Sequence, residues 1–178
     1  MSRRRATFPD MRQTSHNPVL MPVTRFDRER LAGAFERMSR QSRYQRFLHP
    51  KPTLSDAELT YFTNIDHRTH DAIAAVDPAD GSFVGVARYA VLDERVMSAD
   101  LAFFVVDEWQ GRGVATTLMR TLLPRAEANG INSLIALTLH DNAPARALLR
   151  NLGFRKVGSS HGVAELTLSL HSPIALAA

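Results

Sequence analysis

A mixed α/β (α+β) fold is what the sequence predicts: a mostly antiparallel sheet of six to seven strands, about four flanking helices and one parallel strand–helix–strand unit. Three features carry that expectation. Apolar runs flank "PADG" at 78–81 and "SSHG" at 159–162, the pattern of two hairpins. A strand-forming run at 97–106, an amphipathic stretch at 112–129 and a second apolar run at 131–139 make a crossover unit, which is nearly always right-handed. No internal repeat is visible, so residues 19–170 read as one domain between a basic tail at 1–18 and a C-terminal tail at 171–178.

Taken in order, "VLMPVTRF" (19–26) is a short strand, and Pro22, lacking a donor, places it at an edge or bulge. Asp27 is positioned to cap "DRERLAGAFERMSR", where Leu31, Ala34, Phe35 and Met38 recur at helical spacing. The prolines of "SRYQRFLHPKP" mark a turn or loop. Ser55, with Glu58 three residues on, gives the reciprocal capping pattern of a helix start. "DAIAAVD" (71–77) and "SFVGVARYAVLD" (82–93) form the first hairpin, and "MSADLAFFVV" (97–106) follows as a strand.

Ala115, Leu118, Met119, Leu122, Leu123 and Ala126 then make the apolar stripe of a helix over 112–129, with Pro124 expected to kink it and Gly130 to stop it. "INSLIALTL" (131–139) is nearly continuous apolar, as in a strand buried on both faces. Ala145, Leu148, Leu149 and Leu152 share a helix face, with Pro144 in the first turn and Gly153 at the stop. "FRKVG" and "VAELTLSL" close the chain as the second hairpin.

The composition, 44% hydrophobic and 22% charged, suits a soluble domain with a real core. No run of 18 apolar residues occurs, so no membrane span is expected. The absence of cysteine excludes a thiolate nucleophile and a cysteine-ligated metal, and fits a cytoplasmic protein. Arg3, Arg4, Arg5 and Arg12 against Asp10 put +3 of the net +4 into the first 18 residues. That Pro-punctuated tail reads as a solvated, disordered arm without the apolar stretch of a secretory signal. The near-neutral body argues against nucleic-acid binding, and nothing in the sequence speaks to oligomeric state.

The segment "VVDEWQGRGVATTLMRTLL" (105–123) needs its own account, because glycines cost stability inside regular structure. Backbone amides over Gln110–Val114 lie at a helix start, unpaired by any preceding turn, where the helix dipole favours a phosphate. Gly111 and Gly113 let a ligand approach the main chain, and Arg112 can add charge. A tight turn that needs glycine dihedrals is the alternative. A dinucleotide fingerprint lacks its third glycine here, since Val114, Ala115 and Thr116 follow Gly113, and a P-loop is absent.

"QGRGVA" (110–115), after a strand ending in Val-Val, resembles the Q/R-x-x-G-x-G/A loop of the GNAT superfamily of N-acetyltransferases. "NAPARALLRNLGF" is similar to that superfamily's second motif, and the order of elements over about 19–170 is also the family's. "SRQSRYQRFL…LSDAEL…DHRTHDAIAAV…GVARY" looks most like the acetyltransferase domain of bacterial protein-lysine acetyltransferases. The resemblance implies the GNAT fold, acetyl-CoA as cosubstrate, no metal, and a protein lysine or small amine as acceptor. It implies that Phe104, Val105 and Val106 present backbone groups to the pantetheine arm, and that amides from Gln110 to Ala115 hold the pyrophosphate, with Thr116 nearby. Asn142 would contact the cofactor arm, or serve simply as a helix cap.

An alkylamine with pKa about 10.4 must lose a proton before it attacks a thioester. A main-chain N–H of the 97–106 strand is a candidate oxyanion donor. For the base the candidate is Asp100, in Ala99-Asp100-Leu101-Ala102, where the lysine acetyltransferase relatives carry a Glu. The shorter carboxylate favours a bridging water; the alternative is a strand Asp exposed or paired with an Arg. The Tyr that many members use as acid is replaced by Leu149, and the tyrosines at 44, 61 and 89 lie elsewhere. That leaves a noncatalytic acyl-CoA-binding module as the rival of an enzyme. His67 and His70, three apart, fit one helix face but lack a further metal-ligand set. His140 reads as a loop residue near the cofactor edge. Arg43, Tyr44 and Arg46 line an acceptor site or anchor their loop, and Trp109 packs beside the glycine loop.

Overall fold

Residues 17–170 are described by a computed structural model of the protein, and the tails at 1–16 and 171–178 lie outside the described residues. In chain order the elements are β1 (Val19–Pro22), α1 (Arg28–Glu36), α2 (Arg40–Phe47), α3 (Asp56–Thr63), β2 (His70–Val76), β3 (Phe83–Asp93), β4 (Ser98–Val105), α4 (Val114–Ala128), β5 (Ser133–Leu139), α5 (Ala143–Asn151), β6 (Arg155–Ser160) and β7 (Val163–Ser169). The strands form a single sheet in the order β1-β2-β3-β4-β5-β7-β6. Every neighbouring pair is antiparallel except β4 and β5. The mixed α/β expectation is met, and Pro22 ends the edge strand β1, where its missing donor costs no ladder bond.

Helices α1 and α3 cover one face of the β1–β4 half, and α4 covers the other. Ala72, Ala74, Ala87, Ala99, Leu118, Met119 and Leu122 are all buried in this core. The approach of α4 is close: a Cβ on Gly85 of β3 would lie 2.9 Å from the Phe104 carbonyl oxygen and 3.2 Å from Leu118 Cδ1. Gly130, at φ 78°, stops α4, and the Ile131 amide returns to the Ala126 carbonyl at 3.0 Å. The helix continues through the exposed Pro124. The second hairpin turns on His161 and Gly162 alone, both at positive φ, so Ser159 and Ser160 belong to β6.

Four local expectations need correction. The segment read as a loop from its prolines begins with a fifth helix, α2, capped by the Ser39 hydroxyl accepting from the Ser42 amide. Its face is polar, so no apolar stripe announces it. Arg43 holds it instead, donating to the carbonyls of Phe35, Glu36, Met38 and Pro52. Correspondingly, α1 ends at Glu36 and does not run on to Arg40.

The Asp27 carboxylate does not cap α1. It accepts from the Thr24 amide and hydroxyl, both at 2.8 Å, closing a capping box on one 3₁₀ turn, and from Arg30 at 3.2 Å. Nor is β5 covered on both faces: Leu134, Ala136 and Thr138 are buried, whereas Leu137 is 48% exposed. The reason is that β5 follows β4 for only four residue pairs, Ser98↔Ser133 to Leu101↔Ala136, and then parts from it.

His67 and His70 do not share a helix face. His67 lies in the turn before β2 and its Nδ1 meets Asp71 Oδ1 at 2.7 Å, while His70 packs on Tyr61 of α3. Asp71 is fully buried and accepts from Arg125 Nε of α4 at 2.7 Å. Asn129 donates to the His67 carbonyl at 2.9 Å and to the Tyr89 hydroxyl at 2.7 Å, and that hydroxyl donates to the Arg68 carbonyl at 3.0 Å. This network locks the C-terminal end of α4 to β2 and β3.

Candidate active site

Where β4 and β5 part, a cleft of about 530 Å³ opens, walled by β4 from Leu101 to Val105, β5 from Ala136 to Thr138, α2, the 107–116 loop and the start of α5. Strand alternation decides what β4 offers it. The Val106 amide donates to the Val84 carbonyl at 2.9 Å, and its carbonyl accepts from the Trp109 amide. Val106 therefore has both backbone groups spent and its side chain buried. The Phe104 carbonyl also faces β3, beside Gly85. Phe103 and Val105 thus turn their backbone groups toward the gap. Of the three residues named for backbone contacts, Val105 turns them toward the cleft, its carbonyl shared with the Gln110 side chain, and Phe104 lines the cleft with its side chain.

The glycine loop stands at one end of this cleft. A 3₁₀ turn, Asp107–Trp109, leads into it, and the Gln110 amide is taken by the Asp107 carbonyl at 3.2 Å. Among the described residues, the amides of Gly111 to Thr116 donate no hydrogen bond, and Thr117 is the first to bond, to the Gly113 carbonyl at 3.0 Å. The unpaired set thus begins one residue later than expected, at Gly111, and runs two residues further, to Thr116. Gly111 and Gly113 sit at φ 72° and 79°, and a Cβ on either would meet nothing within 4 Å. Their glycine is needed for backbone conformation, and the space over the amides stays open. Free amides at the head of a fifteen-residue helix suit a pyrophosphate.

Val114, Ala115 and Thr116 line the cleft, whereas Arg112 does not; its guanidinium carbon lies 5.1 Å from the Trp109 ring. Asn142 lines the cleft too, and its Oδ1 caps α5 by accepting from the Ala145 amide at 3.2 Å.

Sequence reasoning missed the clamp that holds this loop. The Asp107 carboxylate accepts from the Ser39 amide, the Ser39 hydroxyl and the Ser42 hydroxyl, each at 2.8 Å. Burial pushes the Asp107 carboxyl up, but these hydrogen bonds outweigh it and hold the group below its ordinary range. Gln110 Nε2 reaches both Ser42 Oγ (3.2 Å) and the Val105 carbonyl (3.0 Å). Four side chains thereby fix α2 against the end of β4. The legible signal was Ser39 ahead of "RQSRYQRF", a helix start with no apolar stripe behind it.

Beyond the Ala102 end lies a charged cluster on the same sheet face. Asp100 is 32% exposed, and its Oδ2 is 3.5 Å from an Arg88 nitrogen. Arg88 stacks over Tyr61 and Phe62, at 5.4 and 5.1 Å, and its Nε is buried without an acceptor. Arg46 of α2 lines the cleft and also borders Arg88 and Ala102. Arg43 and Tyr44 differ from it: Arg43 anchors α2, and Tyr44 is exposed. Leu149 is buried in the cleft wall, and His140 Nε2 pairs with Ser159 Oγ at 2.6 Å.

Burial, reinforced by Arg88, lowers the His70 imidazole to about 4. The unfolded chain takes up that proton near pH 6.5 while the folded chain refuses it, so stability present above pH 6.5 is lost as pH falls toward 4. Between pH 7 and 5 the expected loss from this group is on the order of 1–2 kcal/mol. Urea unfolding at both pH values should show a smaller difference for His70→Gln than for the unchanged protein; an equal difference would remove His70 as the cause.

Among the described residues, no helix is long and apolar enough to cross a membrane, and no group of three or more His, Cys, Asp or Glu is placed to hold a metal ion.

Comparison with known proteins gives consistent results. The acetyltransferase (GNAT) family matches residues 35–154. Acetyltransferase PA5475 of Pseudomonas aeruginosa is 32% identical over 138 residues, covering 76% of this chain and 74% of the relative. Acetyltransferase Pat of Mycolicibacterium smegmatis is 32% identical over 145 residues, covering 81% of this chain but only 43% of the relative's length. The crystal structure of the GNAT domain of S. lividans PAT is 30% identical with a TM-score of 0.79, over 84% of this chain and 89% of that one.

Proposed function

This chain belongs to the GNAT acetyltransferase family, whose reaction is acetyl transfer from acetyl-CoA, and from that premise we propose that its acceptor is the ε-amine of a protein lysine. The observation that carries the reading is a cleft with unpaired amides at one end and a partly exposed carboxylate, Asp100, beyond the other. The likeness of "SRQSRYQRFL" and "GVARY" to bacterial protein-lysine acetyltransferases supports the choice of acceptor.

The residues present fit acetyl-CoA. Amides of Gly111 to Thr116 would hold the pyrophosphate, Val105 would bond the pantetheine arm, and Asn142, whose Nδ2 is not used in capping, would reach the same arm. Bound there, acetyl-CoA supplies an activated acyl carbon. Asp100 takes the proton from the acceptor ammonium through a water, since its carboxylate is one methylene shorter than the usual Glu. The Phe103 or Val105 amide supplies a donor for developing negative charge. Leu149 provides no proton, and the CoA sulfur departs as a thiolate, which a conjugate thiol pKa near 8.5 allows.

The pairing of Asp100 with Arg88 favours one second reading, a module that binds acyl-CoA without turnover. Release of CoA from acetyl-CoA, measured with the macromolecular and the small-molecule fractions of a bacterial lysate, separates the cases. Release with the macromolecular fraction, together with acetyl-lysine found by mass spectrometry, is the expected result. Release with small molecules alone would replace the protein acceptor by a metabolite. Tight CoA binding with no release from either fraction would favour the noncatalytic module.

A further inference from the structure

We propose that the acceptor carries a carboxylate close to its amine, and that Arg46 and Arg88 recognise it. The proposal rests on the acetyltransferase reading above and names the chemistry of its acceptor. Arg46 lines the cleft, and just beyond its Ala102 end Arg88 and Asp100 complete a cluster of two guanidinium groups and one carboxylate. The other groups in contact with Arg88 add no negative charge: Tyr61 and Phe62 come from α3, and His70 from β2 is neutral at pH 7 with its imidazole near 4, while Asp71 behind it is already paired with Arg125 and Asp66 is bonded within its own turn. The cluster therefore carries one uncompensated positive charge.

Its hydrogen-bonding capacity is also in surplus. Arg88 spends one contact on Asp100 and one, at 3.5 Å, on His70 Nε2, and its Nε is buried with no acceptor. Arg46 is half-buried, and among the described residues its guanidinium donates no hydrogen bond; it only stacks over Phe47, at 4.8 Å. Its pKa is lowered to about 10, by burial first and then by Arg88, so it stays charged at neutral pH in a place that disfavours charge. The buried Arg88 Nε is costly to leave unmet, and the Arg46 guanidinium beside it has its donors free for a ligand. Guanidinium groups fit carboxylates by paired N–H donors.

The cosubstrate's phosphates do not account for the pair. Their amides lie past Val105, and Asp100 is five residues back along β4, about 17 Å at the rise of an extended strand. The anion that fits therefore enters with the amine that Asp100 meets. It can be an acidic side chain beside the acceptor lysine, or the α-carboxylate of a free amino acid.

The test uses four acceptors that share a lysine ε-amine: blocked Glu-Lys and Gln-Lys dipeptide amides, free lysine and lysine amide. Acetylation of the ε-amine is followed with acetyl-CoA. The carboxylate-bearing member of one pair should have kcat/KM about ten- to a hundredfold above its neutral twin, the range for a charge-assisted hydrogen bond. Arg46→Gln should bring that ratio toward one, and Arg46→Lys should keep part of it. A preference within the dipeptides points to an acidic protein site; one within the lysine pair points to a free amino acid. Turnover with ratios near one in both pairs overturns the proposal and leaves the acetyltransferase reading intact. If none of the four is turned over, the acetyltransferase reading is decided by the lysate fractions described above. The anion site is then judged by calorimetric binding of the same four compounds to the CoA-bound protein, where no advantage for the carboxylates would overturn it.

Discussion

In Asp100→Asn, kcat for acetyl transfer at pH 7 should fall by about 10²- to 10³-fold, the usual worth of a positioned general base. The acceptor ammonium has a pKa near 10.4, so only about one molecule in 2,500 is ready to attack at neutral pH. Asp100 is the carboxylate of β4 placed beyond the end of the cleft, and its 32% exposure leaves room for a water between it and the amine. Asparagine keeps the size of the side chain and can still accept from Arg88, so the exchange removes basicity with little change in packing. Single-turnover rates from pH 7 to 10 give the check. The deficit should shrink at high pH, as the amine deprotonates without help. A variant as fast as the unchanged protein at pH 7 would reduce Asp100 to a counter-charge for Arg88.

The largest expected loss of stability comes from the opposite face of the sheet. Arg125→Met should cost about 3 kcal/mol, because it removes one partner of a buried pair and strands the other. Asp71 has no side-chain exposure, and it would keep only His67 Nδ1 at 2.7 Å and the amide of Ala72 at 2.9 Å. Urea unfolding at pH 7 measures the change. Adding Asp71→Leu to Arg125→Met should recover much of the loss, since an apolar pair carries no desolvation cost. A loss below about 1 kcal/mol for the single variant would mean that water reaches the Asp71 carboxylate.

The parts of this fold that could be read from the sequence are those where one local pattern governs the backbone. Ser55 and Glu58 announced α3, "PADG" announced the β2–β3 hairpin, and Gly130 announced the end of α4, because caps and turns are written in adjacent residues. The glycine loop was legible for the same reason. What escaped was what depends on residues far apart in the chain. Helix α2 has no apolar stripe, and its position rests on Arg43, Ser42 and Asp107, the last from 65 residues on. The exposure of Leu137 follows from β5 leaving β4, which its own apolar sequence does not encode. Val106 read as a cofactor contact by likeness, yet strand alternation commits its amide to Val84. The two arginines beside Asp100 come from separate elements, α2 and β3, and no spacing rule joins them.

The four residue pairs that join β4 to β5 have a mechanical meaning. One continuous sheet is also two half-sheets, β1–β4 and β5–β7–β6, meeting along a short seam at one end, with the other end of the boundary bridged by no ladder. A long, thin molecule lodged between them would act as a strut, bonded to one half along β4 and braced against the other at Leu137 and Thr138. Whatever fills that gap becomes part of the framework that holds the two halves together for as long as it stays. The rigidity of the enzyme is then set by how much cosubstrate the cell holds, and the empty protein is the more easily opened of the two forms.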